Sequence, residues 1–121
     1  MSCMPNLPDP LDLVKRTKQF ALDSLDFFRR LPKSPEAKMA GFQFLRASSS
    51  VGANYRAAKP GRSRAEFAAK LGVVVEEADE SVYWLEYMQD GRIASAPSLL
   101  SEARELCAIF TTAYGTASGN Y

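Results

Sequence analysis

The sequence has no histidine among its 121 residues, and this absence excludes several kinds of active site. Histidine is the most common general base and the most common metal ligand in proteins, so catalytic triads, zinc peptidase sites and imidazole proton shuttles are excluded. The chain has only two cysteines, Cys3 and Cys107, and neither belongs to a CxxC pair. A zinc site, a redox motif and a disulfide scaffold are therefore not expected, and this cysteine usage is typical of a reduced, cytoplasmic protein.

Long hydrophobic runs are also missing. The longest purely aliphatic run, Val73 to Val75, is far shorter than the ~20 apolar residues that a membrane span needs. The first residues lack the basic segment and apolar stretch of a signal peptide. A length of 121 residues is close to the usual size of one domain. We therefore expect a soluble protein with a single core and no contact with a membrane.

The 15 basic and 14 acidic residues are separated along the chain. Residues 1–70 hold 13 basic and 6 acidic residues, a net charge of +7, whereas residues 71–121 hold 2 basic and 8 acidic residues, a net charge of −6. This separation favours either an anionic partner for the first part or packing between oppositely charged helices and subunits. Alternatively, folding interleaves the charges, because the halves of a sequence need not be the halves of a fold.

The spacing of apolar residues predicts four helices between a few prolines and glycines. The first runs from about Asp12 to Leu31 and the second from Pro35 to about Ala58. The third starts with a capping box, Ser63 to Glu66, and stops at Asp90-Gly91, and the fourth begins near Ser95, Ala96 and Pro97. We expect residues 1–11 to be a flexible arm, residues 12–115 the helical domain, and residues 116–121 a frayed tail.

The middle of the second predicted helix consists almost entirely of small residues, from Ala47 to Ala53. Three serines and a glycine lower the intrinsic helix propensity, so this stretch needs tertiary packing, such as the close approach of a neighbouring helix. The alternative is a serine-rich loop that cuts the helix in two. Phe44, Ser48, Val51 and Tyr55 keep the helical period across the stretch and favour the continuous helix.

Four amphipathic helices joined by short loops predict an all-α, up-down-up-down antiparallel four-helix bundle. We expect the 59–64 loop, the start of the first helix and the start of the fourth helix to lie at one end of the bundle.

The acidic cluster Glu76, Glu77, Asp79 and Glu80 invites comparison with di-metal bundles. Such sites use Glu-x-x-His motifs on partner helices, and this chain has no histidine, so we expect neither a metal nor another cofactor. We expect Glu77 and Glu80 instead to form a buried polar pairing with a basic residue of the second helix, either Arg56 or Arg46. Such a pairing would fix helix register more than it would add stability.

No catalytic motif is present elsewhere in the sequence. Ser48 to Ser50 with Lys59 or Lys70 could suggest a serine nucleophile with a lysine base, but nothing specifies a base at hydrogen-bond distance or an oxyanion site. The glycines are too scattered for a phosphate-binding loop. We therefore predict that the protein is not an enzyme.

Basic residues are concentrated around the turn between the second and third helices, beside Tyr55. The cluster consists of Arg56, Lys59, Arg62, Arg64 and Lys70, and we place Lys15, Arg16 and Lys18 near the same end. Basic patches of this kind bind phosphate backbones through charge neutralisation and counterion release. The alternative is a solvated turn with no ligand.

The third helix carries a second stripe beside its core-facing one, and this stripe mixes aromatic and acidic residues, among them Val73, Trp84 and Tyr87. A single apolar stripe is enough to pack a bundle. The second stripe therefore indicates contact with another surface.

The segment from Phe44 to Leu85 resembles the four-helix bundle proteins encoded in intervening sequences of bacterial 23S ribosomal RNA genes, also called S23 ribosomal proteins. The matching positions are Ser50, Val51, Gly52, Ala53, Asn54 and Tyr55, then Ser63, Phe67 and Lys70, then Glu77, Ala78, Glu80, Tyr83, Trp84 and Leu85. The chain departs from the family pattern at Ala57, where the pattern has glutamate, at Glu76, where it has lysine, and at Ser81, where it has threonine.

The resemblance implies a compact bundle that assembles into a cyclic homo-oligomer, commonly a pentamer. A related accessory protein of diversity-generating retroelements binds nucleic acid and a reverse transcriptase. By analogy, Val73, Trp84 and Tyr87 become a candidate subunit interface. Two functional hypotheses follow: a homo-oligomer that binds RNA or DNA through the basic turn, and a structural or protein-interaction module whose charged faces serve ring assembly.

Overall fold

The computed structural model describes residues 9–58 and 63–119, and within these ranges every regular element is an α-helix. The elements are α1 (Pro10–Arg29), α2 (Pro35–Ala57), α3 (Arg64–Asp90) and α4 (Pro97–Ser118). The predicted all-α fold is confirmed. None of these four helices is long and apolar enough to cross a membrane.

Side chains before the first turn fix the starts of three helices. The Asp9 carboxylate accepts from the backbone N–H of Leu11 at 2.8 Å, and the Ser34 hydroxyl accepts from the N–H of Ala37 at 3.3 Å. Ser63 accepts from the N–H of Glu66 at 3.1 Å and donates its hydroxyl proton to the Glu66 carboxylate, also at 3.1 Å. The capping box is thus present, although the carboxylate bonds the serine hydroxyl and not the orphan backbone amide.

Two helix boundaries differ from the sequence-based prediction. Helix α1 begins at Pro10, because Asp9 caps it and proline suits the first helical position, so the residues just before Asp12 belong to the bundle. Helix α4 continues through Gly115, which is buried, to Ser118, and ends at Gly119 in the left-handed conformation with φ of 81°. Residues 116–118, which were predicted to belong to a frayed tail, are therefore helical.

The serine-rich stretch of α2 is continuous helix, so the alternative of a loop is wrong. Gly52 lies against α1, where a Cβ added to it would sit 3.1 Å from Oγ1 and 3.3 Å from Cβ of Thr17. Ser48 is fully buried, and its hydroxyl donates to the carbonyl of Leu45 at 3.2 Å. The small residues therefore allow a close approach of α1, which offsets their low helix propensity.

Each helix packs against its neighbours in chain order, and α1 closes the bundle with a lighter contact to α4. The core runs the length of the bundle and includes the fully buried Phe20, Phe44, Phe110, Met88 and Leu106. Phe27 and Phe44 meet edge to face with ring centroids 5.8 Å apart. The antiparallel order places the end of α4, and not its start, beside the start of α3, which corrects the predicted arrangement of the bundle ends.

Candidate functional site

Arg64, which the sequence assigned to the basic cluster, has a role in the fold. Its guanidinium donates to the carbonyl oxygens of Thr116 at 3.1 Å and Ala117 at 3.0 Å, in the last turn of α4. The final carbonyls of a helix lack partners within the helix and carry partial negative charge. Arg64 therefore caps the C-terminus of α4.

Other basic residues at this end of the bundle are open to solvent. Arg56, in the last turn of α2, and Lys15 and Lys18, on the outer face of α1, are exposed, and Lys70 is half-buried on α3. Within the described chain none of these four forms an ion pair. Lys59 and Arg62 lie outside the described residues.

Arg16 is not part of this open surface. Its guanidinium bonds Glu102 at 2.7 and 2.8 Å and lies 2.9 Å from Glu105, so it joins α1 to α4. The hydrogen bonds to Glu102 and Glu105 raise the pKa of Arg16 above its usual value. The sequence placed Arg16 beside Lys15 and Lys18, but the helical period turns it towards the acidic helix.

Tyr55 packs inward beside Arg56, next to the exposed basic residues. Its ring lies 5.1 Å from that of Phe110, and its hydroxyl donates a long bond of 3.5 Å to the carbonyl of Pro10. Burial, with a smaller contribution from the charge of Asp9, raises the pKa of the Tyr55 hydroxyl. Tyr55 on α2 therefore contacts both α1 and α4.

The predicted pairing of Glu77 and Glu80 exists, but with Arg46 and not with Arg56. Arg46 on α2 lies 3.3 Å from Glu77 and also bonds Glu80 on α3. The antiparallel packing sets the middle of α2 against the middle of α3, whereas Arg56 at the end of α2 lies near the start of α3. The cluster is half-exposed, not buried, because about half of the Arg46 side chain is open to solvent.

The second stripe of α3 forms an aromatic cluster on the surface. Trp84 lies 5.0 Å from Tyr83 and 5.2 Å from Tyr87 between ring centroids, and its other side packs against the core. Tyr87 and Val73 are each more than one-third exposed. Tyr83 is 54% exposed, although the sequence analysis did not include it among the interface residues. We call Tyr83, Tyr87, Glu86 and Asp90 the acidic aromatic face; it borders an open hollow of about 810 Å³.

A second exposed apolar surface lies between α1 and α2 and was missed by the sequence analysis. Phe42 is 60% exposed, and its ring meets that of Phe28 at 5.3 Å between centroids. An open cavity of about 460 Å³ lies here, and we call its lining the basic groove. The lining consists of Phe28, Arg29, Leu31, Pro32, Lys33, Ala37, Lys38 and Phe42. The signal was available, because Met39, Phe42 and Arg46 recur at the helical period opposite the buried Phe44.

In residues 9–58 and 63–119, no three cysteine, aspartate or glutamate side chains come together in a way that could hold a metal ion. The hydroxyls of Ser48 and Ser49 donate to the backbone carbonyls of Leu45 and Arg46, at 3.2 and 3.1 Å, so neither hydroxyl proton is directed at a lysine. Burial raises the pKa of the Cys107 thiol, assisted by the charge of Asp79, which disfavours the reactive thiolate.

A comparison with known protein families identifies the family of this chain. The family model of the 23S rRNA-intervening sequence proteins matches residues 9–112, from the cap of α1 into α4. The chain belongs to the 23S rRNA-intervening sequence protein family. The resemblance inferred from Phe44 to Leu85 is thereby confirmed, and it extends to the first helix and most of the fourth.

A solved structure from Bacteroides thetaiotaomicron, described as a protein of unknown function from the S23 ribosomal protein family, shares the bundle with a TM-score of 0.78. It is 25% identical, over 87% of this chain and 96% of that chain. None of the curated proteins matches the chain. Neither the family description nor that of the solved structure names an enzymatic activity.

In this family member the charge separation along the sequence is also a separation in space. Residues 9–58, which form α1 and α2, hold 9 basic and 5 acidic residues, whereas residues 63–119, which form α3 and α4, hold 4 basic and 9 acidic residues. The net charges are therefore +4 and −5. Arg16 and Arg46 each form ion pairs with two glutamates across the seams between the α1–α2 and α3–α4 hairpins, so each seam keeps one excess negative charge. The residues outside these pairs carry a net charge of +2 on the first hairpin and −1 on the second.

Proposed function

We propose that this member of the 23S rRNA-intervening sequence protein family is a non-enzymatic homo-oligomeric bundle that binds RNA or DNA. The nucleic-acid surface is the basic end, which we define as Lys15, Lys18, Arg56 and Lys70 together with Lys59 and Arg62 of the α2–α3 connection. The observation that carries the proposal is the separation of charge between the two helical hairpins.

The acidic residues near the basic end lie at helix N-termini, where their charge is partly offset. Asp9, Asp12 and Glu66 are the acids of the first turns and caps of α1 and α3. Positive helix dipoles at these N-termini offset their charge, so they oppose an approaching phosphate less than free carboxylates would. The family description refers to an intervening sequence of 23S rRNA, which also favours a nucleic-acid partner.

Self-assembly raises the affinity for nucleic acid above that of a single small basic patch. Each phosphate contact contributes little by itself, and several copies arranged around one axis bind a strand with a much higher effective concentration. We assign the outer stripe of α3, with Val73, Trp84 and Tyr87, to the subunit contact. Five subunits are the number that the family resemblance favours, and the oppositely charged outer surfaces are suited to a ring.

The proposal is tested by fluorescence anisotropy with a labelled RNA or DNA strand at several salt concentrations. Affinity should fall steeply with salt, and Arg56→Gln with Lys70→Gln should lower the slope by about 0.7 for each lost phosphate contact on a single strand, or about 0.9 on duplex DNA. Arg30→Gln is the matched control, because Arg30 is exposed at the opposite end of the bundle. Absence of binding at low salt, or equal loss in the control, contradicts the proposal.

A second candidate is a structural module whose charges serve assembly alone. The engagement of Arg64 by the carbonyls of α4 favours it, because one member of the predicted basic cluster is occupied within the fold. The same titration separates the candidates. A protein that assembles normally and leaves the labelled strand free at low salt is such a module.

A further inference from the structure

We infer that the basic groove of one copy receives the acidic aromatic face of α3 from the next copy, in a head-to-tail contact. This inference rests on the proposed self-assembly and names the two surfaces that make it. The occupant of the groove is thus a second copy of this chain.

The groove has an apolar floor that one copy leaves open. Phe42 is 60% exposed and is supported from below by the ring of Phe28. Met39, also exposed, lies one turn before Phe42 on α2 and extends the apolar surface along that helix. Covering such a surface removes apolar area from water, with a gain of roughly 25 cal/mol for each Å².

The charges around the two surfaces are complementary. Arg29, Lys33 and Lys38 line the groove, and within the described chain none of them forms an ion pair. The hollow beside the acidic aromatic face is lined by three carboxylates, those of Glu36, Glu86 and Asp90, and by one cation, Arg92, so its charge balance is acidic. Glu86 is paired with Arg104, and Asp90 has no ion pair among the described residues. Because, within residues 9–58 and 63–119, the groove holds unpaired cations and the face holds a free carboxylate, contact between a groove and a face is favoured, and contact between two grooves is disfavoured.

The acidic aromatic face also has the spacing that a groove between two helices accepts. Tyr83, Glu86, Tyr87 and Asp90 follow one another at i, i+3, i+4 and i+7 on the outside of α3. An amphipathic helix docks into an apolar groove through anchors at these spacings. Aromatic anchors contribute most of the energy at such contacts.

The position of the two surfaces allows a closed ring. Both lie at the same end of the bundle, and Pro32 borders the groove as well as the hollow beside the acidic aromatic face. A rotation axis along the bundle can therefore bring one surface of a copy onto the other surface of its neighbour. Because the two surfaces are different, each copy has one donor and one acceptor face, as a cyclic assembly requires.

Mixing two blocked variants tests the contact. Phe42→Glu blocks the groove and Tyr83→Lys blocks the face, so each variant alone should sediment with the mass of one chain. An equimolar mixture keeps one intact groove and one intact face, and should form a one-to-one heterodimer and nothing larger. Leu11→Glu is the matched control: Leu11 is also exposed, but lies at the start of α1, and its variant should keep the wild-type mass.

The outcomes separate this inference from the proposed function. A wild-type protein with the mass of one chain overturns both. A wild-type oligomer whose two variants remain assembled, or whose mixture gives no heterodimer, overturns the inference alone. If Phe42→Glu does not fold by far-UV circular dichroism, Phe42→Ser replaces it and is again mixed with Tyr83→Lys, with the same mass in the mixture expected and the same failure contradicting the inference.

Discussion

Two arginines of the predicted basic cluster, Arg56 and Arg64, have different surroundings although both stand near the α2–α3 connection. Arg56 is exposed at the end of α2, whereas Arg64 donates to two carbonyls at the end of α4. A guanidinium at a helix C-terminus interacts favourably with the helix dipole and with orphan carbonyls. One arginine is thus available to a ligand, and the other stabilises the bundle.

Replacing Arg64 should therefore lower stability, and replacing Arg56 should not. We expect Arg64→Gln to reduce the free energy of unfolding by about 1 kcal/mol, because it removes hydrogen bonds from a charged donor. Arg56→Gln is the matched control and should change it by less than about 0.5 kcal/mol. Urea unfolding followed by circular dichroism gives both values, and equal losses in the two variants would refute the assignment of Arg64 as a cap.

The sequence could predict the residue types of the ionic contacts but not their partners. Arg46 and Arg56 are both basic residues on α2, and both were candidates for Glu77 and Glu80. The choice depends on the register between α2 and α3, which arises from side-chain packing over the whole helix pair and leaves no local signal. The roles of Arg64 and Arg16 were missed for a related reason, because their acceptors lie on α4, far away in sequence.

At the scale of elements, the contact between α1 and α2 depends on small residues. Gly52 faces Thr17, which is fully buried and whose hydroxyl donates to the carbonyl of Leu13 at 2.7 Å. Gly41 faces the end of the Leu31 side chain, which is only partly buried. The two glycines thus lie on the same side of α2, but their neighbours differ in their freedom to move.

Substituting alanine at the two glycines should separate these cases. Gly52→Ala should lower the free energy of unfolding by about 1 kcal/mol, because the β-branched Thr17 and its backbone cannot yield and overpacking outweighs the gain in helix propensity. Gly41→Ala should leave stability unchanged or raise it by up to about 1 kcal/mol, because Leu31 can rotate away. Thermal and urea unfolding measure both, and a stabilising Gly52→Ala is incompatible with the close approach of α1.

Helical period and capping residues were enough to predict the four helices, including continuity through the serines. The same period placed Phe42 on the outer face of α2. It could not predict the basic groove, because the groove also needs the ring of Phe28 and the cations of the α1–α2 turn beside Phe42. The start of α1 and the end of α4 were misplaced because proline and glycine were read as breaks. At Pro10 the proline is the first helical residue, and Gly115 is packed inside the bundle.

The whole molecule is polarised, with a basic hairpin of α1 and α2 against an acidic hairpin of α3 and α4. The net charge of +1 conceals this arrangement, which the order of charges along the sequence already indicated. Sequence alone left open whether folding would mix the charges. Among the described residues, the ion pairs that join the two hairpins come from Arg16 and Arg46, and the two hairpins still differ in the sign of their net charge.

Sedimentation velocity of the wild-type protein with a fluorescently labelled RNA strand tests the central claim most directly, because it reports assembly and binding together. At low salt, we predict that the label moves with a protein oligomer whose mass is a whole-number multiple of one chain, and that the label is released as salt is raised. A protein that sediments as a single chain while the RNA moves alone at low salt would contradict the account.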